Sequence, residues 1–312
     1  KIIKKNVIFA LFFLVFFIFN YSYGISKLNN NEYRFDEKVN IKIISPNFSI
    51  KDYNIQSEEF QIKRLIKISD PHEEEKTLFI WPEGIFYQSY LEDIKKYKNL
   101  FKDKFSKNHL IILGVNNFTH QNDLNDQKYF NSLVMLDHNL EIVSLYNKIN
   151  LVPFGEFLPY ENFLSKIGLK KITPGYSSFS SGDYRTLINL GDDFDKKLVL
   201  PLICYEIIYP AKIKEKNQFP DLVINISEDA WFGKSIGPYQ HFTKAVYRSI
   251  EEGVFIARSA NKGISAFVDP HGRVLKSLNT GESGNIELKF PHFYELTLFS
   301  QYGNKIFFLI IF

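Results

Sequence analysis

Leu198-Val199-Leu200-Pro201-Leu202-Ile203-Cys204-Tyr205-Glu206 is the stretch from which the fold can be read. The residues before the cysteine are all apolar, a run suited to a buried strand, and the pattern from Ile207 to Lys216 turns helical. A strand handing over to a helix at Cys204 is an elbow of an α/β architecture, which presents its chemistry at the carboxyl ends of its strands. The first turn of such a helix offers free N–H groups and a positive dipole end, which favour a thiolate and can hold an oxyanion. Taken alone, a cysteine closing an apolar run is more often an inert buried residue.

Outward from this elbow, apolar β-branched runs predict further strands at Val39–Ser45, Thr77–Trp81, Leu110–Val115, Ser132–Leu136, Leu222–Ile226, Val254–Ala257 and Ile264–Val268. Apolar positions spaced by three and four predict helices over Gln56–Ile68, Leu91–Phe105 and Gln240–Glu252, besides Ile207–Lys216. The alternation of strand and helix, without an internal repeat, predicts one layered α/β domain. Residues 146–191, rich in Pro, Gly, Ser and aromatics, read as loops with a short helix near Phe163. The run Glu73-Glu74-Glu75 reads as a solvated loop.

Composition narrows the function. The 312 residues are 45% hydrophobic, so the chain can bury a sizeable core and is not disordered. Thirty-eight Lys and Arg balance 35 Asp and Glu, with no basic tract to suit nucleic acid. Cys204 is the only cysteine, which excludes an intramolecular disulfide and a cysteine-built zinc site. The histidines show no short paired spacing, so no metal and no cofactor is expected. The sequence Phe232-Gly233-Lys234-Ser235 has Glu228 where a phosphate loop needs glycine. No GxSxG or dinucleotide fingerprint occurs.

Two other charged residues stand where strands or shaped loops deliver them. Thr77-Leu78-Phe79-Ile80-Trp81-Pro82-Glu83 is an apolar run that ends in a carboxylate, and a surface or helix-capping glutamate is its bland reading. Tyr146-Asn147-Lys148, followed by Leu151-Val152-Pro153-Phe154-Gly155-Glu156, places a lysine and a second glutamate in a loop shaped by Pro and Gly. A surface lysine is the plain alternative there.

The ends belong with lipid. Val7–Phe19 is an unbroken run of thirteen apolar residues behind Lys1, Lys4 and Lys5. It is shorter than the roughly 20 residues that cross a hydrocarbon core, and a secretory leader shares this pattern. The lack of a small-x-small cleavage pattern, and the interfacial aromatics Tyr21 and Tyr23, favour a retained helix. The lysine flank places the amino end in the cytoplasm and the rest outside, in the periplasm of a Gram-negative cell. Residues 305–312, KIFFLIIF, suggest a second membrane segment, and a first residue other than Met suggests a fragment. The expected division is a transmembrane helix at 1–25, a linker at 26–38, a catalytic domain at 39–298 and the start of a second transmembrane helix at 299–312.

Together these pieces resemble the nitrilase superfamily, whose Glu-Lys-Cys triad arrives in the chain order of Glu83, Lys148 and Cys204. Within it the sequence is similar to the apolipoprotein N-acyltransferase family over roughly residues 39–306. The stretches that carry the likeness are Trp81-Pro82-Glu83, Tyr146-Asn147-Lys148, Val152–Glu156, Ile203–Glu206, Asp229-Ala230-Trp231-Phe232-Gly233 and Ile236–Phe242. The resemblance implies an α-β-β-α sandwich flanked by hydrophobic membrane segments, in the bacterial inner membrane with the catalytic domain on the periplasmic side. It implies a two-step, ping-pong acyltransferase: Glu83 as base, Lys148 as oxyanion stabiliser and Cys204 as nucleophile. Glu156, Tyr205 and Glu206 would be supporting residues, and Trp231 would line the acyl path, although a tryptophan in an apolar stretch is as often core. The implied partners are a glycerophospholipid acyl donor and a diacylglyceryl-apolipoprotein acceptor.

The sequence departs from that pattern at Glu228, where Asn is usual, and at Ala260 and Lys262 around Asn261. Tyr53 is the nearest aromatic to an expected early tryptophan, and the family's bundle of transmembrane helices does not precede this domain in the sequence. These differences bear on acceptor recognition more than on acyl transfer. A membrane-tethered nitrilase-type amidohydrolase is the alternative function, and a non-catalytic lipoprotein-binding module is the third.

Overall fold

Two sheets are built by the alternating pattern. The computed structural model describes residues 2–29, 33–119, 127–168, 178–210, 218–293 and 295–311. It divides into an amino-terminal unit, Lys1–Arg34, and the remainder, Phe35–Phe312. The first unit is one long helix, α1 (Ile2–Asn29), whose stretch Lys5–Asn29 is long and apolar enough to cross a membrane.

In the second unit the order is β1 (Arg34–Ser45), α2 (Ile50–Ile55), α3 (Glu58–Ser69), β2 (Lys76–Ile80), β3 (Phe86–Tyr90), α4 (Lys98–Lys102), β4 (His109–Phe118), β5 (Tyr129–Leu136) and β6 (Ile142–Asn147). There follow α5 (Glu161–Leu164), β7 (Ile188–Asn189), β8 (Leu198–Ile203), β9 (Leu222–Glu228), α6 (Gly237–Glu252), β10 (Ile256–Asn261), β11 (Ser265–Val268), β12 (Val274–Leu278), β13 (Gly284–His292), α7 (Leu298–Tyr302) and α8 (Lys305–Ile311). One sheet runs β13-β1-β2-β4-β5-β6, with β3 also beside β4, and the other β12-β11-β10-β9-β8-β7. Strands β1, β2 and β4 are parallel in the first, and β8, β9 and β10 in the second. Their carboxyl ends carry Glu83, Cys204 and Glu228.

The layers follow from which side chains are apolar. Ile62, Leu65 and Ile66 of α3, with Phe101 of α4, pack on Phe79, Ile111, Leu113 and Val134 of the first sheet. Ala245 of α6 packs on Leu200, Leu202, Val223 and Ile256 of the second. The other faces meet each other: Ser259 Oγ of β10 donates to the Ile44 carbonyl of β1 at 2.8 Å. A Cβ on Gly114 of β4 would lie 3.2 Å from Ile226 of β9 and 2.7 Å from the Glu83 Cα. Only glycine lets the strand pass this close to the segment carrying Glu83. The result is the expected α-β-β-α sandwich.

Two of the helix expectations need correction. After Cys204 there is a five-residue 3-10 turn, Cys204–Ile208, rather than the start of a helix over Ile207–Lys216; residues 211–217 of that span lie outside the described residues. Leu91–Phe105 splits into a 3-10 segment, Leu91–Tyr97, and the short α4. Of the expected linker at 26–38, residues 26–29 belong to α1 and 34–38 to β1. Of the expected segment 299–312, residues 299–302 lie in α7 and 305–311 in α8, two short helices joined at Gly303 and Asn304. Strands β3, β6, β7, β12 and β13 have no counterpart in the sequence reading: β6 and β12 show at least half of their residues to solvent, β7 has only two residues, and β3 and β13 mix polar with apolar residues without an apolar run.

Candidate active site

The turn at Glu83 begins where β2 stops. The Trp81 N–H still donates to the Ile112 carbonyl at 2.8 Å, and Pro82 then removes a donor and ends the ladder. Glu83 is buried; its Oε2 accepts the Glu228 N–H at 2.9 Å, and its Oε1 accepts Asn131 Nδ2 at 2.7 Å. Lys148 follows the end of β6, held by its own N–H to the Asn131 carbonyl at 2.8 Å. Its ammonium donates to Glu156 Oε1 at 2.9 Å and lies 3.8 Å from Glu83 Oε1. Asn131 also donates to Glu156 Oε1 at 2.7 Å, so one amide of β5 spaces the two carboxylates around the lysine. Glu156 Oε2 accepts the Val152 N–H at 2.8 Å, which folds the loop back on itself.

Cys204 sits in the left-handed region at φ +47°, a conformation that a non-glycine residue adopts only when its surroundings impose it. Two groups do so. The His241 Nε2–H donates to the Cys204 carbonyl at 3.1 Å. Two residues on, Glu206 Oε2 accepts the Ile203 N–H at 2.9 Å and closes the turn. Glu206 Oε1 gathers the Tyr146 hydroxyl at 2.7 Å, the N–H groups of Ile149 and Asn150 at 3.0 and 3.1 Å, and Arg185 Nη2 at 2.9 Å. Glu206 thus ties the loop of Cys204 to the loop of Lys148.

Behind His241 lies a buried chain of polar groups. Its Nδ1 is 3.0 Å from Asp229 Oδ1 and 3.1 Å from Arg258 Nη2, and Asp229 Oδ2 accepts Arg258 Nη2 at 2.8 Å. Cys204 Sγ, an Asp229 oxygen and a His241 nitrogen fall within 4.8 Å of one another. Both ring nitrogens are engaged in hydrogen bonds, which makes this group a brace for the backbone of Cys204.

The electrostatics follow from burial and the carboxylates. Burial works against the Lys148 ammonium, but Glu83 and Glu156 outweigh it and hold the group charged, above its ordinary range. Burial, with the Glu156 charge, raises the Glu83 carboxyl, while Lys148 and the Asn131 hydrogen bond restrain the rise. Burial and the Glu83 charge push the Cys204 thiol up against the pull of Lys148. Cys204 therefore rests as a thiol, contrary to the thiolate expected at a helix start. A single 3-10 turn has too little aligned dipole to offset the burial.

Glu83, Lys148 and Cys204 line one cavity of about 540 Å³, with Glu156, Tyr205, Glu228 and His241 and the apolar Val152, Ile208, Trp231 and Phe232. Trp231 is 57% exposed, so it is a wall of the cavity and not core; the core tryptophan is Trp81, fully buried. Glu206 stands behind the cavity wall rather than in it. The two aromatic and acidic departures noted in the sequence touch each other: the Tyr53 hydroxyl donates to Glu228 Oε2 at 2.8 Å. Asn131, His241 and Arg258 were not singled out as site residues. The signal for Asn131 and Arg258 is a polar side chain inside an otherwise apolar or small-residue strand, Tyr129–Leu136 and Ile256–Asn261.

Residues 67–289 match the carbon-nitrogen hydrolase family. An apolipoprotein N-acyltransferase of Rickettsia prowazekii is 35% identical over 290 residues, which are 90% of this chain and 55% of the relative. One of Rhodopseudomonas palustris is 41% identical over 175 residues, 56% of this chain and 32% of the relative. The chain thus spans from about a third to about half the length of these relatives. Among solved structures, the Saccharomyces cerevisiae member of branch 10 of the nitrilase superfamily has a TM-score of 0.54 at 16% identity, covering 82% of this chain and 91% of its own. An amidase of that superfamily from Nesterenkonia AN1 has a TM-score of 0.53 at 13% identity, covering 84% of this chain and 94% of its own. These two bear on the fold alone.

Proposed function

This chain belongs to the carbon-nitrogen hydrolase family, and on that footing we propose that it is an apolipoprotein N-acyltransferase that moves a fatty acyl chain from a membrane phospholipid to the amino-terminal diacylglyceryl-cysteine of a lipoprotein. The observation that carries the reading is the cavity in which a protonated lysine stands between two carboxylates beside a thiol. The names of the curated relatives supply the choice of acceptor and donor.

In the first half-reaction Glu83 takes the proton of Cys204 as the sulfur attacks the ester carbonyl. A carboxyl raised by burial is a better base than an exposed one, which suits a thiol that is not ionised at rest. The Lys148 ammonium stabilises the tetrahedral oxyanion, an interaction that in a site closed to water is typically worth about 3–4 kcal/mol. The C–O bond breaks, the Glu83 proton goes to the departing alkoxide of the lysophospholipid, and a thioester remains on Cys204. In the second, the neutral amine attacks that thioester, Glu83 takes the proton released as the C–N bond forms, and the sulfur leaves and recovers it. Glu156 and Asn131 orient Lys148; Glu206 and His241 orient the nucleophile; Tyr205 and Trp231 wall the cavity. A donor with two acyl chains loses about 0.8 kcal/mol for each CH₂ exposed to water, which favours a catalytic domain tethered by a hydrophobic helix. The proposed setting is the bacterial inner membrane, with the catalytic domain in the periplasm.

Membrane vesicles carrying the chain, given a phospholipid with a labelled acyl chain and a diacylglyceryl-cysteine peptide, should yield label in amide linkage to the peptide. Label found only as free fatty acid, with simple amides hydrolysed, would replace this reading by a tethered amidohydrolase.

A further inference from the structure

Glu228 closes β9 as a buried carboxylate on the wall of the active-site cavity, and the steps above leave it unused. Among the described residues no cationic side chain pairs with it. Its donors are the Tyr53 hydroxyl at 2.8 Å, the Ala230 N–H at 3.0 Å, and Asn261 Nδ2 at 3.0 and 2.9 Å from its two oxygens. A carboxylate offers about four acceptor positions. One Asn261 hydrogen goes to the Phe48 carbonyl at 3.0 Å, so a single one remains for both Glu228 oxygens. Three hydrogens for four positions leave room for one donor from the cavity.

The charges around it point the same way. Glu83, Glu156 and Glu228 line this cavity with the Lys148 ammonium between the first two and Lys244 also in the wall, so with Glu228 ionised three carboxylates face two ammonium groups. The titratable groups facing Glu228 are Tyr53 of α2 and Glu83 after β2. Burial without a counter-charge, with the Glu83 charge beside it, pushes the Glu228 carboxyl up to about 8, so near neutral pH it is largely protonated until an entering ammonium favours its ionised form and its proton leaves to solvent. That matches an α-amino group, whose ordinary value is about 7.7–8.0.

Proton balance then assigns the group a task. An acceptor amine arrives largely as an ammonium and sheds two protons on its way to an amide, one before attack and one after the C–N bond forms. Glu83 takes the second and returns it to the departing sulfur of Cys204. We infer that Glu228 binds the ammonium of the acceptor and takes its first proton, so that a neutral amine attacks the Cys204 thioester; this rests on the acyl-transfer reading above. Glu228 passes its proton to solvent before the next turnover, and each transfer releases one proton in all.

The test loads Cys204 with a labelled acyl chain in membrane vesicles and follows its loss to two nucleophiles: a diacylglyceryl-cysteine peptide, which enters as an ammonium, and hydroxylamine, which is already neutral. In Glu228→Gln the rate to the peptide, relative to hydroxylamine, should fall on the order of tenfold or more, as expected for losing a hydrogen bond to a charged group. Glu228→Asn, shorter and equally uncharged, should give the same ratio. If both nucleophiles slow alike, or neither does, Glu228 is only a structural group and the inference is overturned. A parent chain that never acquires the label overturns the acyl-transfer reading, and this inference with it.

Discussion

At the scale of single residues, the site is a cluster of buried charges whose arrangement sets both chemistry and stability. Asp229 is the clearest stabilising member. Burial alone would raise it, yet Arg258 and His241 hold its carboxyl down to about 2. A carboxyl lowered by folding contributes stability that is complete above its unfolded value near 4 and is lost as the pH falls through about 2. Asp229→Asn leaves Arg258 buried without its partner and should cost about 3–5 kcal/mol, read as a fall in the urea midpoint at pH 7. Glu228 has the opposite sign. Its carboxyl is raised from 4.5 to about 8, so the folded state holds a proton the unfolded chain releases, and stability falls as pH rises across that window. Glu228→Gln should therefore melt higher than the parent at pH 9, by roughly 2–5 kcal/mol, and about level with it at pH 4. Equal melting differences at the two pH values would show that the carboxylate is solvated and unshifted.

At the scale of elements, the site depends on where strands stop and how closely they pass. Gly114 is the tightest point, since an added Cβ would meet the Glu83 Cα at 2.7 Å. Gly114→Ala should shift Glu83 and lower acyl transfer on the order of a hundredfold, because small misplacements of a catalytic group are expensive in rate. Its melting temperature should drop only as far as a strained core substitution of about 1–3 kcal/mol implies. Central strands such as β2, β4, β8 and β9 were legible in the sequence, because burial on both faces demands continuous apolar runs. Edge strands were not. Of β12, four of five residues are exposed, and β6 shows solvent Ile142, Val143 and Leu145, so neither has a pattern that burial would impose. Glu83, Lys148 and Cys204 were legible because each ends an apolar run or opens a shaped loop. The helix foreseen after Cys204 was an over-reading of apolar spacing, for Glu206 folds back to the Ile203 N–H and ends the turn at Ile208. Partners separated by many residues, such as Asn131 with both Glu83 and Glu156, have no local signature at all.

At the scale of the whole molecule, a sandwich whose cavity sets apolar walls around a charged floor, and a long apolar helix, both suit the proposed lipid substrate. Helix α1 has 28 residues, about 42 Å at 1.5 Å per residue, enough for a hydrocarbon core of about 30 Å. The parent chain should resist extraction from membranes by alkaline carbonate. Leu14→Arg, placing a charge in the middle of the apolar run at about 2.5–3.5 kcal/mol, should move a substantial fraction into the soluble phase. Release of the parent itself under carbonate would show that α1 does not anchor it. The central claim is that Cys204 carries the acyl chain. Its most direct measurement is the mass of the chain after incubation in membranes with a phospholipid bearing a labelled acyl group, before and after hydroxylamine. The account predicts a single acyl adduct on the peptide containing Cys204, removed by hydroxylamine and absent from Cys204→Ala; an adduct that persists in Cys204→Ala, or none in the parent, would contradict it.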